Sequence, residues 1–129
     1  MLNQHTKTLN WGTFVGILYE MENCIFCKIV KGEIPKDFRY EDDLIVSFDD
    51  IHPQASTHVL FVPKKHLESF DFLTDEDEKI LTSIRKGIQK ISKETGLVGK
   101  GYKIQMYAGG AQTIDHLHFH LIGPVGLKV

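Results

Sequence analysis

The sequence of 129 residues predicts an α+β domain with antiparallel strands. Two observations carry this prediction: one long segment repeats apolar residues at helical intervals, and several short segments carry β-favouring or alternating residues. The links between these segments are short, which favours antiparallel pairing over the long crossovers that parallel strands require. With 42% hydrophobic and 25% charged residues, the chain has the composition of a globular protein.

The first half of the chain predicts one helical turn and two strands. Residues 25–31 favour a short helix, residues 44–48 a strand and residues 49–53 a turn. Residues 59–62 read Val-Leu-Phe-Val, a continuous apolar run that is typical of a strand buried on both faces. Pro63 is expected to end this strand.

The second half predicts a long helix and two further strands. Thr74, followed by three acidic residues, is typical of a helix start. Apolar residues then recur at three- and four-residue intervals as far as Ile91, and Gly96 is a stop signal. We expect this helix to cover the sheet. The alternation in residues 102–106 predicts another strand before a turn at residues 108–111.

Three histidines, His116, His118 and His120, alternate with apolar residues near the end of the sequence. Because alternate side chains of a β-strand share a face, we expect the three imidazoles to meet in one pocket, about 6–7 Å apart. Leu117 and Phe119 would then face the core. A tag remnant or a row of surface histidines is the alternative, but tags do not alternate with Leu and Phe. Imidazole can act as nucleophile, proton carrier or metal ligand near neutral pH.

The motif His-Leu-His-Phe-His-Leu-Ile at residues 116–122 resembles the signature of the histidine triad (HIT) family. The resemblance covers roughly residues 22–123, and further segments follow the family's order and spacing: 24–29, 32–35, 40–43, 48–55, 57–60 and 63–66. It implies a five-stranded antiparallel sheet with one long helix and a short N-terminal helix. It also implies a homodimer in which the sheet extends across both subunits.

The resemblance implies a catalytic group of four histidines: His58, His116, His118 and His120. His118 would be the nucleophile, which attacks the α-phosphate of a nucleotide and forms a nucleotidyl-histidine intermediate. Two displacements have lower barriers than one direct attack by water. His120 and His58 would contact the phosphate. A hydrogen-bonded histidine at a strand start is the alternative interpretation of His58.

The resemblance also implies a nucleotide-binding group. Asp50 would bind the ribose beside Ile51, and the base slot would be lined by Ile25, Phe26, Ile29 and Phe48, each of which is core in the alternative interpretation. Gln112 and Thr113 would lie beside the phosphate. The implied substrates are AMP derivatives: nucleoside phosphoramidates or dinucleoside polyphosphates.

The stretch 105–111 departs from many relatives, which carry asparagines there. Without the asparagine, the family's hydrogen bond near the scissile phosphate would be missing unless Gln105 replaces it, and turnover could then be slow. This departure keeps open a second hypothesis, that the chain is a catalytically weak nucleotide-binding or scaffold protein.

Cys24 and Cys27 have the Cys-x-x-Cys spacing that lets two thiolates reach one metal ion. Two of the four ligands of a zinc site are weak evidence for a bound metal. Free buried thiols or a redox couple are the alternatives. Some bacterial HIT proteins complete such a pair with two histidines, which correspond to His66 and His116 here. The resemblance therefore implies a structural zinc ion, because four protein ligands leave no position for substrate. A purely zinc-stabilised interaction module is a third hypothesis.

Charge and composition argue against several classes of partner. The formal net charge of −2 gives no basic surface for a nucleic-acid polymer. The apolar stretch at residues 11–19 is far shorter than the ~20 residues of a membrane helix. With only two cysteines, a cytoplasmic setting is expected. Residues 1–20 do not resemble the family, so we expect an N-terminal extension of unknown role followed by a HIT domain at residues 21–129.

Overall fold

A computed structural model describes Met21 and residues 23–128. The expected N-terminal extension, residues 1–20, lies outside the described residues. In chain order the elements are α1 (Ile25–Val30), β1 (Tyr40–Glu41), β2 (Ile45–Asp49), β3 (Thr57–Pro63), α2 (Glu78–Glu94), β4 (Lys103–Gln105) and β5 (Phe119–Gly123). Two short 3₁₀ turns, Phe70–Phe72 and Asp75–Asp77, precede α2.

The five strands form one antiparallel sheet in the order β1-β2-β3-β5-β4. This confirms the predicted α+β fold with its short N-terminal helix and its long helix. β3 is buried along nearly its whole length and ends at Pro63, as its apolar run predicts. The extension of the sheet across a dimer stays a prediction.

Each face of the sheet has its own core. α2 packs one face through Ile80, Ile84, Ile88 and Ile91, which join Phe61 of β3 in a single cluster. α1 covers the other face, where its apolar residues pack against β2 and β3. Each fully buried side chain of this size contributes about 1.5–3 kcal/mol through the hydrophobic effect. The α1 face is the one that carries the candidate site.

The start of α2 is held by a network that also reaches the loop after β3. Thr74 and Asp77 form a reciprocal capping box around the 3₁₀ turn that leads into the helix. Asp77 is buried and accepts a hydrogen bond of 2.8 Å from Lys65 Nζ. Thr74 is therefore a helix-start residue as predicted, although one 3₁₀ turn separates it from the α-helix.

The triad segment differs from the predicted regular strand. β5 begins only at Phe119, and residues 113–116 form a bend. The strict alternation of faces therefore does not extend back to His116. β4 is also shorter than the alternation in residues 102–106 predicts.

Among the described residues, no helix has both the length and the apolar character needed to cross a bilayer.

Candidate functional site

A cavity of about 530 Å³ opens on the α1 face of the sheet. We call it the histidine cavity, because His58, His118 and His120 line one end of it. Apolar side chains from α1 and β2 line the other end. The site therefore combines a group of imidazoles with an apolar slot, as a small-molecule site commonly does.

His118 presents a free ring nitrogen to the histidine cavity. Its side chain is only 6% exposed, and its Nδ1 lies 2.8 Å from the backbone carbonyl oxygen of His116. A carbonyl only accepts hydrogen bonds, so Nδ1 carries the proton and donates. In the neutral ring, Nε2 then keeps its lone pair. The ring of Phe26 packs edge-on against His118 at 5.0 Å between centroids, which fixes the orientation of the imidazole.

His58 and His120 are joined by a directed hydrogen bond. The backbone N–H of Gln54 donates to His58 Nδ1 at 3.1 Å, so the proton of the neutral His58 ring is on Nε2. That Nε2 lies 2.9 Å from His120 Nδ1 and donates to it. The neutral His120 ring therefore carries its own proton on Nε2, which makes it a hydrogen-bond donor.

Burial keeps these rings uncharged at neutral pH. Desolvation lowers the pKa of His118 and of His58 below the ordinary range. Desolvation, together with the neighbouring His118 and His58, lowers the pKa of His120 to about 4. A neutral imidazole is the form in which a histidine can attack an electrophile.

We expect the His120 ring to stay neutral well below the usual titration range of histidine. A ring with a pKa of about 4 in the folded protein takes up its proton only as the pH falls through about 4, where an ordinary histidine is already charged. A histidine NMR titration of the wild type, assigned with a His120→Gln variant, measures the midpoint. A midpoint at or above the ordinary value would contradict the prediction.

Asp50 lies among the histidines as well as at the cavity wall. Its Oδ1 accepts a hydrogen bond of 2.8 Å from the His52 backbone N–H. Its Oδ2 is 3.3 Å from His58 Nε2 and 3.9 Å from His120 Nδ1. Ile51 is 72% exposed at the cavity rim. Both residues line the cavity, and their contact with a ribose stays a prediction, while Asp50 also contacts His58.

The apolar end of the cavity includes all four residues expected in a base slot: Ile25, Phe26, Ile29 and Phe48. Sequence reasoning missed Ile34, Lys36 and Ile114, which also line it. Ile34 and Lys36 flank Pro35, at the end of a segment that matches the family pattern. That position was the available signal for Ile34, whereas nothing in the local sequence pointed to Lys36.

Two glutamines do not line the cavity. Gln112 Nε2 donates to the Glu68 carbonyl at 3.2 Å, and its Oε1 accepts from the Gly110 N–H at 2.9 Å. Gln105 donates to the Tyr107 hydroxyl. Their expected contact with the phosphate stays a prediction: Gln112 joins two loops through these bonds, and Gln105 lies opposite His120 in the register of β4 and β5. Thr113 does line the cavity, as expected.

His116 departs from the first of its two expected places, the pocket shared with His118 and His120. It is 0% exposed and does not line the histidine cavity with His118 and His120. The prediction that all three imidazoles meet in one pocket is wrong, because the bend at residues 113–116 breaks the strand alternation. His116 instead lies beside two cysteines.

The four expected metal ligands, Cys24, Cys27, His66 and His116, form one compact group, here called the Cys/His cluster. His116 Nδ1 lies 3.2 Å from Cys24 Sγ, 3.5 Å from Cys27 Sγ and 3.2 Å from His66 Nδ1. Cys27 Sγ lies 3.2 Å from His66 Nδ1. Tetrahedral zinc separates such ligand atoms by about 3.3–3.8 Å, given its usual bond lengths. The donor set therefore fits a zinc ion in type, number and spacing.

The protonation of the Cys/His cluster also suits a metal ion. His116 Nε2 donates to the Pro63 carbonyl at 2.7 Å, so Nδ1 faces the cluster with a lone pair. A hydrogen bond from Cys27, followed by bonds from His116 and His66, lowers the pKa of the Cys24 thiol. The same bond raises the pKa of Cys27. The Cys24 thiolate is thus already favoured without a metal ion. Neither cysteine forms a disulfide.

The chain is similar to a known protein family and to several known proteins. A family model described as "Scavenger mRNA decapping enzyme C-term binding" matches residues 23–126. Protein HitA of Neisseria gonorrhoeae is 41% identical over 105 residues, which cover 80% of this chain and 97% of that protein. The purine nucleoside phosphoramidase of Escherichia coli K12 is 38% identical over 109 residues, covering 81% and 92%.

The chain is also similar to solved structures of the histidine triad family. A HIT family hydrolase from Legionella pneumophila superposes with a TM-score of 0.76 at 40% identity, covering 82% of this chain and 96% of that chain. A histidine triad protein from Clostridium difficile gives a TM-score of 0.75 at 40% identity, covering 83% and 95%. The chain therefore belongs to the histidine triad family and is a HIT-family hydrolase.

Proposed function

We propose that the protein cleaves a P–N or P–O–P bond at the α-phosphate of a purine nucleotide, through a nucleotidyl intermediate on His118. One observation carries this proposal. The His116 carbonyl holds the Nδ1 proton of a buried His118, which leaves the Nε2 lone pair available at the cavity wall. The phosphoramidase activity in the name of the Escherichia coli relative supports the same class of substrate.

In the first displacement, His118 Nε2 bonds to phosphorus while the bond to the leaving amine or phosphate breaks. The leaving group departs with the electron pair of that bond and takes up a proton. In the second displacement, the oxygen of water bonds to phosphorus and gives up one proton to solvent, which balances the proton that the leaving group took up. The P–Nε2 bond breaks, and a nucleoside monophosphate leaves with neutral His118 restored. Two displacements divide one high barrier into two lower ones.

Donors around the histidine cavity would receive the negative charge that builds on the phosphate oxygens. His120 Nε2–H is such a donor, since the hydrogen bond from His58 occupies its Nδ1. The hydroxyl of Thr113 at the cavity wall is a second. Donors fixed in a partly dry site stabilise a transition state more than mobile water does.

The nucleoside would extend from the histidines to the apolar end. Asp50 would accept a ribose hydroxyl, beside Ile51 at the rim, and the base would lie against Phe26 and Phe48. Contact with aromatic side chains stabilises a neutral, planar base, and its transfer out of water costs little free energy.

For the Cys/His cluster we propose a structural zinc ion held by Cys24, Cys27, His66 and His116. The ion would supply a cross-link between α1, the loop after β3 and the segment that leads into β5. By fixing His116, the cluster would also fix the carbonyl that orients His118. Two cysteines that bind an ion and form no disulfide suit a reducing compartment, so we propose the cytoplasm as the location.

We further propose a homodimer formed through β4. This strand lies at the edge of the sheet, where its backbone can pair with a second copy. Ile104 on β4 is 53% exposed, beside an apolar groove that includes Ile88, Tyr102 and Phe119. Ile104→Lys should therefore convert a dimer to a monomer in analytical ultracentrifugation. A wild-type protein that sediments as a monomer at micromolar concentration would contradict the dimer.

Incubation of the purified protein with adenosine phosphoramidate tests the proposed function. Release of AMP and ammonia is expected, and calorimetry with AMP measures binding independently of turnover. A protein that binds AMP without turning over the phosphoramidate would instead support the weak-catalyst hypothesis, which the engagement of the Gln105 and Gln112 amides with other protein groups favours. Bound metal without any affinity for nucleotide would support the interaction module.

A further inference from the structure

Lys36 places a cation at the apolar end of the histidine cavity. Its side chain is half-buried and lines the same cavity as His118 and His120. Its Nζ lies 5.5 Å from the centroid of the Phe48 ring. Within Met21 and residues 23–128, this ring is the partner of Lys36, and no carboxylate pairs with its ammonium. The nearby Asp49 carboxylate is already bonded to Arg39 at 2.6 Å.

The register of the sheet places Phe48, the ring beside Lys36, two strands away from His120. Phe48, Leu60 and His120 lie opposite one another on β2, β3 and β5. Because neighbouring strands are about 4.8 Å apart, the backbone of Phe48 lies about 10 Å from that of His120. A nucleotide whose phosphate meets the histidines would therefore bring its base to Phe48 and Lys36.

An ammonium in this position distinguishes purines by the edge that they present. Lysine donates up to three hydrogen bonds and accepts none. Guanine offers two adjacent acceptors, O6 and N7, whereas adenine offers N7 beside the hydrogens of its N6 amino group. The side chains of Phe26, Ile29 and Ile34 offer no acceptor to an amino group, and the carboxylate of Asp49 is bonded to Arg39.

We infer that Lys36 makes this site prefer 6-oxopurine nucleotides, those of guanine and hypoxanthine, over adenine nucleotides. The inference rests on the proposed function, since it needs a nucleotide base in the slot. The ammonium donates to O6 and N7 of a base that lies against Phe48. With adenine, the hydrogen bond to O6 is lost, and the N6 amino group faces the Lys36 ammonium, so that two donors meet.

Calorimetry with GMP, IMP and AMP tests this inference on the full-length wild type, on Lys36→Met and on Lys86→Met. Lys86 is an exposed residue of α2 that does not line the cavity, so its substitution controls for the loss of one positive charge. IMP lacks the 2-amino group of guanine, so it isolates recognition of O6 and N7. We expect the wild type and Lys86→Met to bind GMP and IMP about fivefold to tenfold more tightly than AMP. Lys36→Met should bind all three with similar affinity.

The inference is overturned if the wild type binds AMP as tightly as GMP, or if Lys36→Met retains the preference. A uniform loss of affinity for all three nucleotides in Lys36→Met would also overturn it, since the lysine would then act on the phosphate. Turnover of adenosine phosphoramidate separates the two proposals. If turnover occurs without a base preference, only this inference fails; if no nucleotide binds and none is turned over, the proposed function fails as well.

Discussion

His118→Ala is expected to lower kcat for adenosine phosphoramidate by at least about 10³-fold, because no other group takes over formation of the covalent intermediate. The His118 Nε2 is the cavity nitrogen whose lone pair is left free by a hydrogen bond on the opposite ring nitrogen. His120 is held as a donor by His58, so it is not a ready substitute.

Binding separates a lost nucleophile from a lost fold. The residues proposed to hold the base and ribose stay in place in His118→Ala, so this variant should bind AMP within about tenfold of the wild type. Steady-state turnover and calorimetry on the same preparation measure both quantities. A variant that retains more than about a tenth of the wild-type kcat would contradict a nucleophilic role.

Removal of the proposed zinc ion is expected to have the largest effect on stability. The Cys/His cluster joins α1 to residues more than 80 positions later through the contact of Cys24 and Cys27 with His116. Such an ion contributes folding free energy directly, so Cys27→Ser should lower the free energy of unfolding by about 4 kcal/mol or more. For a domain of this size, the midpoint of thermal unfolding would fall by roughly 15 °C or more.

A chelator provides the matched control. Chelation should lower the melting temperature of the wild type toward that of Cys27→Ser and should leave the variant unchanged, because the variant has no complete site to lose. Elemental analysis should find about one zinc per wild-type chain. A wild type without bound metal, whose melting temperature responds to reductant instead, would support the redox couple and contradict the zinc site.

The sequence predicted the elements whose signals are local. The apolar repeat and the acidic start located α2, because an amphipathic helix with a capped end carries both signals in its own residues. The apolar run located β3 for the same reason. The local pattern did not predict β1, since two residues are too few to carry a periodic pattern. Tyr40–Glu41 form a strand only through pairing with β2.

Only part of the candidate site could be predicted from the sequence, because the direction of a side chain depends on contacts with residues far away in the chain. The histidine pattern located His118 and His120, but a local bend turned His116 toward the cysteines. Gln112 reaches the Glu68 carbonyl, 44 positions earlier, which no local pattern records. Lys36 joins the cavity only because the chain after α1 returns past Phe48.

The covalent intermediate tests the central claim most directly. The wild type would be mixed with excess adenosine phosphoramidate and quenched within one turnover in alkali, in which a phosphorus–imidazole bond persists. Intact-mass and peptide spectra would then locate any adduct. The account predicts one added adenylyl group, on the peptide that carries His118 and absent from His118→Ala. Full turnover by the wild type with no adduct at any time, or with the adduct on another residue, would contradict it.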